Sequence, residues 1–492
     1  MFNLNLANRD YVYLSIVLGI ALLVRTVFIV THPVGGGDWD IYSTVAENIL
    51  RGCGVSLSPP TEAECIPHFG GNQLPGFPAF VALVWFLFDH SDMAVRFIQA
   101  LLYATALAWL MFAVAQYSRN ANLALLVGFV MALSPLQIAW PRFTQTETLA
   151  LATHLWVAAE LLLSIAAGRL RYVTLAAALT GAVFIRLDGV LLVIPTLITI
   201  FFLPGSINRF RAAALISLLF ALPLAGWAVR NVVVGLPSIF PTGMVLPNNA
   251  ATPVGYIAWG RSWVTQEYQR MGWAWPVNRM VYSGIVIDSS AYDNELEKQQ
   301  VERWLEVLKT FDGQPFPRDI DQKFHELSQQ RNLENPLRAY LTNNALRAHA
   351  LWSNPFSSFA WPNELPSDFG HQARLEVARG GIGGVALLAA KYPFEAITKG
   401  LTGTYRILLI TFFFPLALWA VLRIQRNAKI VLMLGLSVVV SRTLFFAITN
   451  NVETRYTVQA VPWMELGIIF FLSQKLWPDR FSSVNKSNDK DS

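Results

Sequence analysis

The sequence predicts an all-α polytopic membrane protein. Three observations carry that prediction. Hydrophobic residues make up 54% of the 492-residue chain. Charged residues are only 14%, against roughly 25% in soluble proteins. Apolar runs long enough to cross hydrocarbon as a helix, roughly 20 residues, recur along most of the chain. The composition excludes a disordered chain and a disulfide-dense secreted scaffold. Too few charged side chains remain to cover a large soluble enzyme. The net charge of +5 is not read as a nucleic-acid signal, because its position along the chain matters more than its sum.

About ten spans are expected on length and apolarity. They lie near 11–31, 94–115, 122–140, 147–167, 172–186, 188–204, 212–230, 401–422, 430–448 and 457–474. Arg186 and Asp188 interrupt the fifth and sixth, which could otherwise be one long helix. Basic residues mark alternate connections: Arg9, Arg119, Arg169 and Arg171, Arg209 and Arg211, then Arg423, Arg426 and Lys429, and finally Lys475, Arg480, Lys486 and Lys490. All fall on one side if the spans are right. The positive-inside rule makes that side the cytoplasm, with both termini there. The first run lacks a small-residue cleavage pattern and reads as an anchor. Residues 74–88 are apolar but short. If they crossed, every later basic loop would move outside, so a helix lying on the outer face is expected.

This divides the chain into a transmembrane module at 1–230, with a first outer loop at 31–91. An outer region follows at 231–400, then C-terminal membrane helices at 401–476 and a polar cytoplasmic tail at 477–492. The outer region is too long for a connector. It is expected to be mainly helical, as in 293–310, where Leu296, Val301, Trp304, Leu305 and Leu308 recur near helical spacing. The two cysteines, Cys53 and Cys65, both lie in the first outer loop. Outside the cytoplasm they would pair as a disulfide, the alternative being two separate thiols. Two cysteines at this spacing imply no metal site.

The first loop opens HPVGGGDWDIYSTVAENILRG. Glycines 35–37 break the membrane helix, and Asp38 and Asp40 follow at once. Ile41, Val45 and Ile49 then repeat at i, i+4, i+8, so 39–51 is expected to be an amphipathic helix on the membrane. Asp38 would sit at its N-terminus and at the mouth of the bundle, as a helix cap, a catalytic acid, or both. Glu147 starts the fourth span, where an acid is costly unless it faces a polar cavity; the plainer reading is an interfacial helix start. Arg186, Arg230 and Arg455 fall at the outer membrane boundary. Each could be a snorkelling anchor. Together they would give an outer cavity positive charge suited to a phosphate. Arg142 is a weaker fourth candidate, and Arg25 and Arg96 are expected to serve packing.

These pieces, in this order, resemble the GT-C superfamily of membrane glycosyltransferases. The similarity is to the branch holding protein O-mannosyltransferases, lipid A aminoarabinose transferases and lipopolysaccharide-core sugar transferases of the Rgt type. It rests on GGGDWDIYSTVAENILRGCG, LPGFPAFVAL, TETLALATHLW, FIRLDGVLL, GWAVRNVVVGLPSIFPTGMVLPNN and ETRYTVQAVPW, over about 10–260 and 390–475. The resemblance implies a GT-C fold with its active site in the first outer loop and a polyprenyl-phosphate sugar donor. Asp38, with Tyr42 at the usual offset, inherits the catalytic role, with Asp40 second and Glu147 as an acid at the start of its span. Arg230 matches the WxxRN arginine and is assigned to the donor phosphate, with Arg186 and Arg455 beside it. Gln73 and Leu74 stand where the family often has a cation, so either His68, another arginine or a hydrogen bond from Gln73 replaces it, or donor binding differs.

The expected reaction is attack of an acceptor hydroxyl on the anomeric carbon, with Asp38 as general base and inversion. The acceptor would be a glycan, lipid or protein. No cofactor, metal or nucleic acid is called for, and the partners are the lipid-linked donor, the acceptor and membrane lipids. A bacterial plasma membrane is the expected location. A secondary transporter is the first rival, although internal repeats and midplane charges are its usual marks. A surface-glycan polymerase or ligase is the second.

Overall fold

A computed structural model describes residues 8–35, 38–59, 65–67, 74–204, 208–236, 250–353, 360, 382–423 and 426–476. Among these the architecture is helical throughout, with only two isolated β-bridges, Val34 to Phe143 and Ser56 to Pro67. The tail at 477–492, His68 and Gln73 lie outside the described residues.

Helix α1 (Asn8–Thr31) is apolar along most of its length and stops before His32 and Pro33. The first loop then forms α2 (Trp39–Leu50) and α3 (Gly76–Phe88). Helix α4 (Asp92–Ser118) starts on Ser91, whose hydroxyl accepts from the Ala94 amide. Helix α5 (Ala121–Leu133) starts on Asn120, whose side chain takes the Asn122 and Leu123 amides. These caps satisfy donors that a helix N-terminus leaves open. Helix α6 (Glu147–Ala167) ends on Gly168, which takes the left-handed conformation at φ +65°.

The expected span at 122–140 is corrected here. Helix α5 ends at Leu133 because Pro135 pushes Ser134 to an extended ψ of 116°. Residues 134–146 follow as a buried irregular segment with one 3-10 turn at Trp140–Arg142.

Helix α7 (Tyr172–Ile185) and helix α8 (Val193–Phe202) are separate elements, joined by a turn at Arg186 and a 3-10 stretch at Leu187–Leu192. The Arg186–Asp188 interruption is therefore a reversal and not a flaw in one long helix. A Cβ on Gly189 would collide with the Ala182 carbonyl of α7, so glycine alone lets the two segments meet this closely. Helix α9 (Arg209–Val233) ends the first module.

A loop domain, residues 250–353, follows. It contains α10 (Val254–Arg261), α11 (Glu267–Asn278), α12 (Glu295–Lys309), α13 (Arg318–Glu334) and α14 (Asn343–Ser353). Its core is aromatic, built on Tyr256, Trp259, Trp273 and Phe324. In α12, Val301 and Leu308 are buried in this core, with Trp304 and Leu305 partly so. Leu296 is 78% exposed and does not belong to that face; it sits in the first turn after the Asn294 cap. The chain returns through α15 (Ile382–Lys391), α16 (Pro393–Arg423), α17 (Arg426–Ile448), a 3-10 stretch at Thr454–Ala460 and α18 (Val461–Leu476).

Among the described residues, seven helical runs are long and apolar enough to cross a membrane: α1, α4, α6, α9, α16, α17 and Thr454–Gln474. The other three expected spans fall on shorter apolar helices, namely α5, α7 and the Leu187–Phe202 run. Helix α3 is also short. Both its ends lie at one end of the bundle. Gly76 packs on the Phe184 carbonyl near the end of α7, and the Trp85 indole donates to Asp92 at the start of α4, 3.2 Å away. Asp89 and His90, at φ 50° and 56°, make the abrupt turn into α4. Helix α3 thus lies across the loop face of the bundle. It packs against α2 through Tyr42 and Phe77, whose rings are 4.9 Å apart.

Candidate functional site at the loop face

The end of α1 and the starts of α2, α4 and α6 converge at the loop face. Arg96 of α4 donates to the Val34 carbonyl, and Gln99 donates to that of Phe143. The first loop is fastened locally. The Asn48 amide donates to the Ser56 and Ser58 carbonyls at 3.0 and 2.9 Å. Cys53 and Cys65 are joined as a disulfide, with their Cα atoms 5.6 Å apart and a sequence separation of 12. A cross-link closing a loop of this size is worth about 2–3 kcal/mol. Replacing both cysteines with serine is expected to lower loop stability by that amount. Limited proteolysis within 50–66 should speed up accordingly; an unchanged cleavage rate would show that the hydrogen bonds alone hold the loop.

Asp38 precedes α2 in the capping position, yet its carboxylate makes no capping hydrogen bond. It faces Arg455 instead, with Oδ2 3.3 Å from Nη1. The pair is the accessible part of the site, with side chains 38% and 29% exposed. Tyr42, one turn along α2, is buried beneath it. Burial raises the Tyr42 phenol above its ordinary range, and the Asp38 and Glu147 carboxylates push it further. It therefore stays a neutral donor. Asp40 is exposed on α2, away from this pair.

Behind Asp38 lies an array of alternating charges. Glu147 Oε1 sits 3.0 Å from Arg186 Nη1, and Arg186 Nε is 3.2 Å from Asp188 Oδ1. Asp188 Oδ2 is 2.6 Å from Arg442 Nη2, which also donates to the Tyr456 carbonyl and Gln459. On the other side, Arg455 Nε lies 2.6 Å from Glu453 Oε2, and Glu453 Oε1 is 3.0 Å from Arg270 Nε of α11. The Tyr456 ring lies between Arg186 and Arg455, 5.4 and 5.3 Å from their guanidinium carbons, and stacks on Phe446.

The expected positive cavity is corrected by this geometry. Four arginines (186, 270, 442 and 455) meet four acids (38, 147, 188 and 453). A buried guanidinium needs a counter-charge, so the array is balanced. Arg186 is committed to Glu147 and Asp188. Arg230 stands apart from the array and donates to the Val55 carbonyl of the first loop at 3.2 Å, with its guanidinium over Trp227. Arg142 is buried, donating to the carbonyls of Ala360 and His32. Arg25 is buried over the Tyr103 ring. Among the described residues, no group of three or more His, Cys, Asp or Glu is arranged to hold a metal ion.

Sequence reasoning missed Asp188, Arg442, Glu453 and Arg270 as members of the site. Arg442 carried a legible signal, a cation inside the apolar span Ala428–Ile448. Glu453 is buried, which raises its pKa, but Arg455 and Arg270 outweigh burial and hold it down at about 2. Glu267, close by, is raised above its ordinary value by burial and by Glu453. Because the folded value of Glu453 is depressed, its contribution to stability is complete above the ordinary carboxylate range. That contribution is lost as pH falls through about 2. Hydrogen exchange of α11 amides, relative to α10, is expected to accelerate as acidification approaches that value. Constant relative protection would contradict the assignment.

Residues 72–227 match the family model described as dolichyl-phosphate-mannose-protein mannosyltransferase. No curated protein sequence matches the chain. Similar solved structures include ArnT from Cupriavidus metallidurans bound to undecaprenyl phosphate. It is 14% identical, with a TM-score of 0.39 over 95% of this chain and 79% of that one. The apo state of ArnT from the same organism is 12% identical, with a TM-score of 0.38 over 94% and 78%. The family match supports the membrane glycosyltransferase of GT-C type that the sequence motifs resemble.

Proposed function

We propose that the protein transfers a sugar from a polyprenyl-phosphate donor to an acceptor hydroxyl at the loop face, with Asp38 as general base. The observation that carries this reading is the Asp38 carboxylate itself. It occupies a capping position without capping, stays partly exposed and faces an arginine. The family match over 72–227, to a model described by a lipid-phosphate-linked sugar, supports a lipid-linked donor.

In this mechanism the acceptor oxygen attacks the anomeric carbon while its proton passes to Asp38. The bond from that carbon to the phosphate oxygen breaks, and polyprenyl phosphate leaves with the electron pair. Arg455, beside Asp38, holds the phosphate charge as it develops. Arg230, anchored on the first loop, is the second phosphate ligand. Arg186 acts by keeping Glu147 and Asp188 neutralised behind the site. Glu147 is thus a supporting acid and Asp40 a bystander. His68 and Gln73 are left as donor-phosphate candidates.

On this reading the loop face lies outside the cytoplasm and both termini within it, which the basic connections support, and the membrane is a bacterial plasma membrane. One displacement inverts the anomeric centre. Nuclear magnetic resonance of the product formed from a donor of known configuration is the test. Inversion is expected, and retention would require a covalent sugar intermediate and a different role for Asp38.

A further inference from the structure

We infer that Arg270, on α11 of the loop domain, is a positioning residue for Asp38, acting through Glu453 and Arg455. The catalytic consequence rests on the glycosyltransferase reading; the contact relay does not.

The segment between α17 and Thr454 is gripped by the loop domain. Val452 is wholly buried in that domain's core. Glu267 of α11 accepts from the Thr454 hydroxyl at 2.9 Å and from its amide at 3.3 Å. Arg270, one turn further along α11, donates to the Asn450 carbonyl at 2.5 Å and to Glu453 Oε1 at 3.0 Å. Glu453, only 3% exposed, turns its other oxygen to Arg455. Arg455 is left with Nη1 directed at Asp38.

The division of the Glu453 carboxylate is the point. A guanidinium and a carboxylate prefer two parallel contacts over one. Arg270 occupies Oε1 and so prevents Glu453 from taking Arg455 in that bidentate manner. Without Arg270, Glu453 is free to rotate onto Arg455 and draw Nη1 away from Asp38. The carboxylate of Asp38 would then lose the contact that orients it. The other charged or titratable groups near this pair are Tyr42, Glu147, Arg186 and Tyr456. Among the described residues none of them comes from the loop domain, so Arg270 is a charged link from that domain to the base.

The test compares wild type, Arg270→Ala, and Arg270→Ala combined with Glu453→Gln, in nanodiscs. The first readout is a cryo-electron microscopy structure of each protein without substrate. In Arg270→Ala, Glu453 is expected to take Arg455 in two parallel contacts and the Asp38–Arg455 contact to be lost. The second readout is transfer resolved into kcat and KM for the donor; kcat should fall about 10-fold to 100-fold from mispositioning, with KM changed less. Adding Glu453→Gln should reverse part of both effects, because a neutral amide does not hold Arg455 in two charge-assisted contacts. A purely structural role would make the double variant worse than the single one. An Asp38–Arg455 contact intact in Arg270→Ala, or a double variant more impaired than the single, overturns the inference. If Arg270→Ala does not fold, Arg270→Lys, a point charge without the fork, should show an intermediate kcat, and a wild-type kcat in that variant overturns it equally. If wild type transfers no sugar while the contact is lost in Arg270→Ala, the functional reading fails and the relay stands.

Discussion

Asp38→Asn is expected to lower sugar transfer by about 10²–10⁴-fold, the usual contribution of a positioned general base, while thermal stability in detergent stays near wild type. Both halves of the expectation come from one geometry. The carboxylate makes no capping hydrogen bond to α2, so the helix loses no cap when it is replaced. Its ion pair among the described residues, to Arg455 at 3.3 Å, is partly exposed, and solvent-exposed pairs contribute little to stability. Asparagine keeps the shape but cannot take the acceptor proton. Asp40→Asn is the control, expected to transfer at nearly the wild-type rate because Asp40 is exposed away from the pair. Transfer by Asp38→Asn at the wild-type rate would move the base to another acid.

The second large effect is on stability. Arg186→Met is expected to cost about 3–5 kcal/mol, because breaking a buried pair strands a charge. Arg186 faces both Glu147 and Asp188. Asp188 keeps Arg442 as a partner, whereas Glu147 keeps the Thr146 hydroxyl and only the longer-range charge of Arg455. Glu147 is thus the stranded group. Combining Arg186→Met with Glu147→Leu should recover part of the loss, since replacing a whole buried pair with apolar groups is often neutral. Chemical denaturation of the three proteins measures this. A double variant no more stable than Arg186→Met would mean that Arg186 acts through the turn at 186–189 and not through Glu147.

Much of this arrangement was legible from local pattern. Alternation of apolar residues at i, i+4, i+8 placed α2 within a residue of its end. The short apolar run at 74–88 read as a helix on the outer face, and the contacts of Gly76 and Trp85 put both its ends at one end of the bundle. Arg186, Glu147, Asp38 and Arg455 were singled out by an acid or cation at the edge of an apolar run, a signal that desolvation cost makes informative. What was not legible depends on pairing across the chain. Asp188 meets Arg442 at a separation of 254 residues, and Arg270 meets Glu453 at 183. No local spacing encodes such contacts. The expectation of a positively charged cavity erred for the same reason: the arginines were visible one by one, and the acids that neutralise them were not. The end of α5 was a different miss. Pro135 was in plain view, and its steric effect on Ser134 outweighed the apolar run that continued past it.

The central claim is lipid-dependent sugar transfer, and its most direct measurement is stoichiometry. Purified protein in proteoliposomes would be given a panel of polyprenyl-phosphate sugars with a membrane extract as acceptor. One polyprenyl phosphate released for each sugar attached to acceptor is the expected result. Sugar or lipid crossing the vesicle wall with no release of polyprenyl phosphate would contradict it and make the protein a transporter.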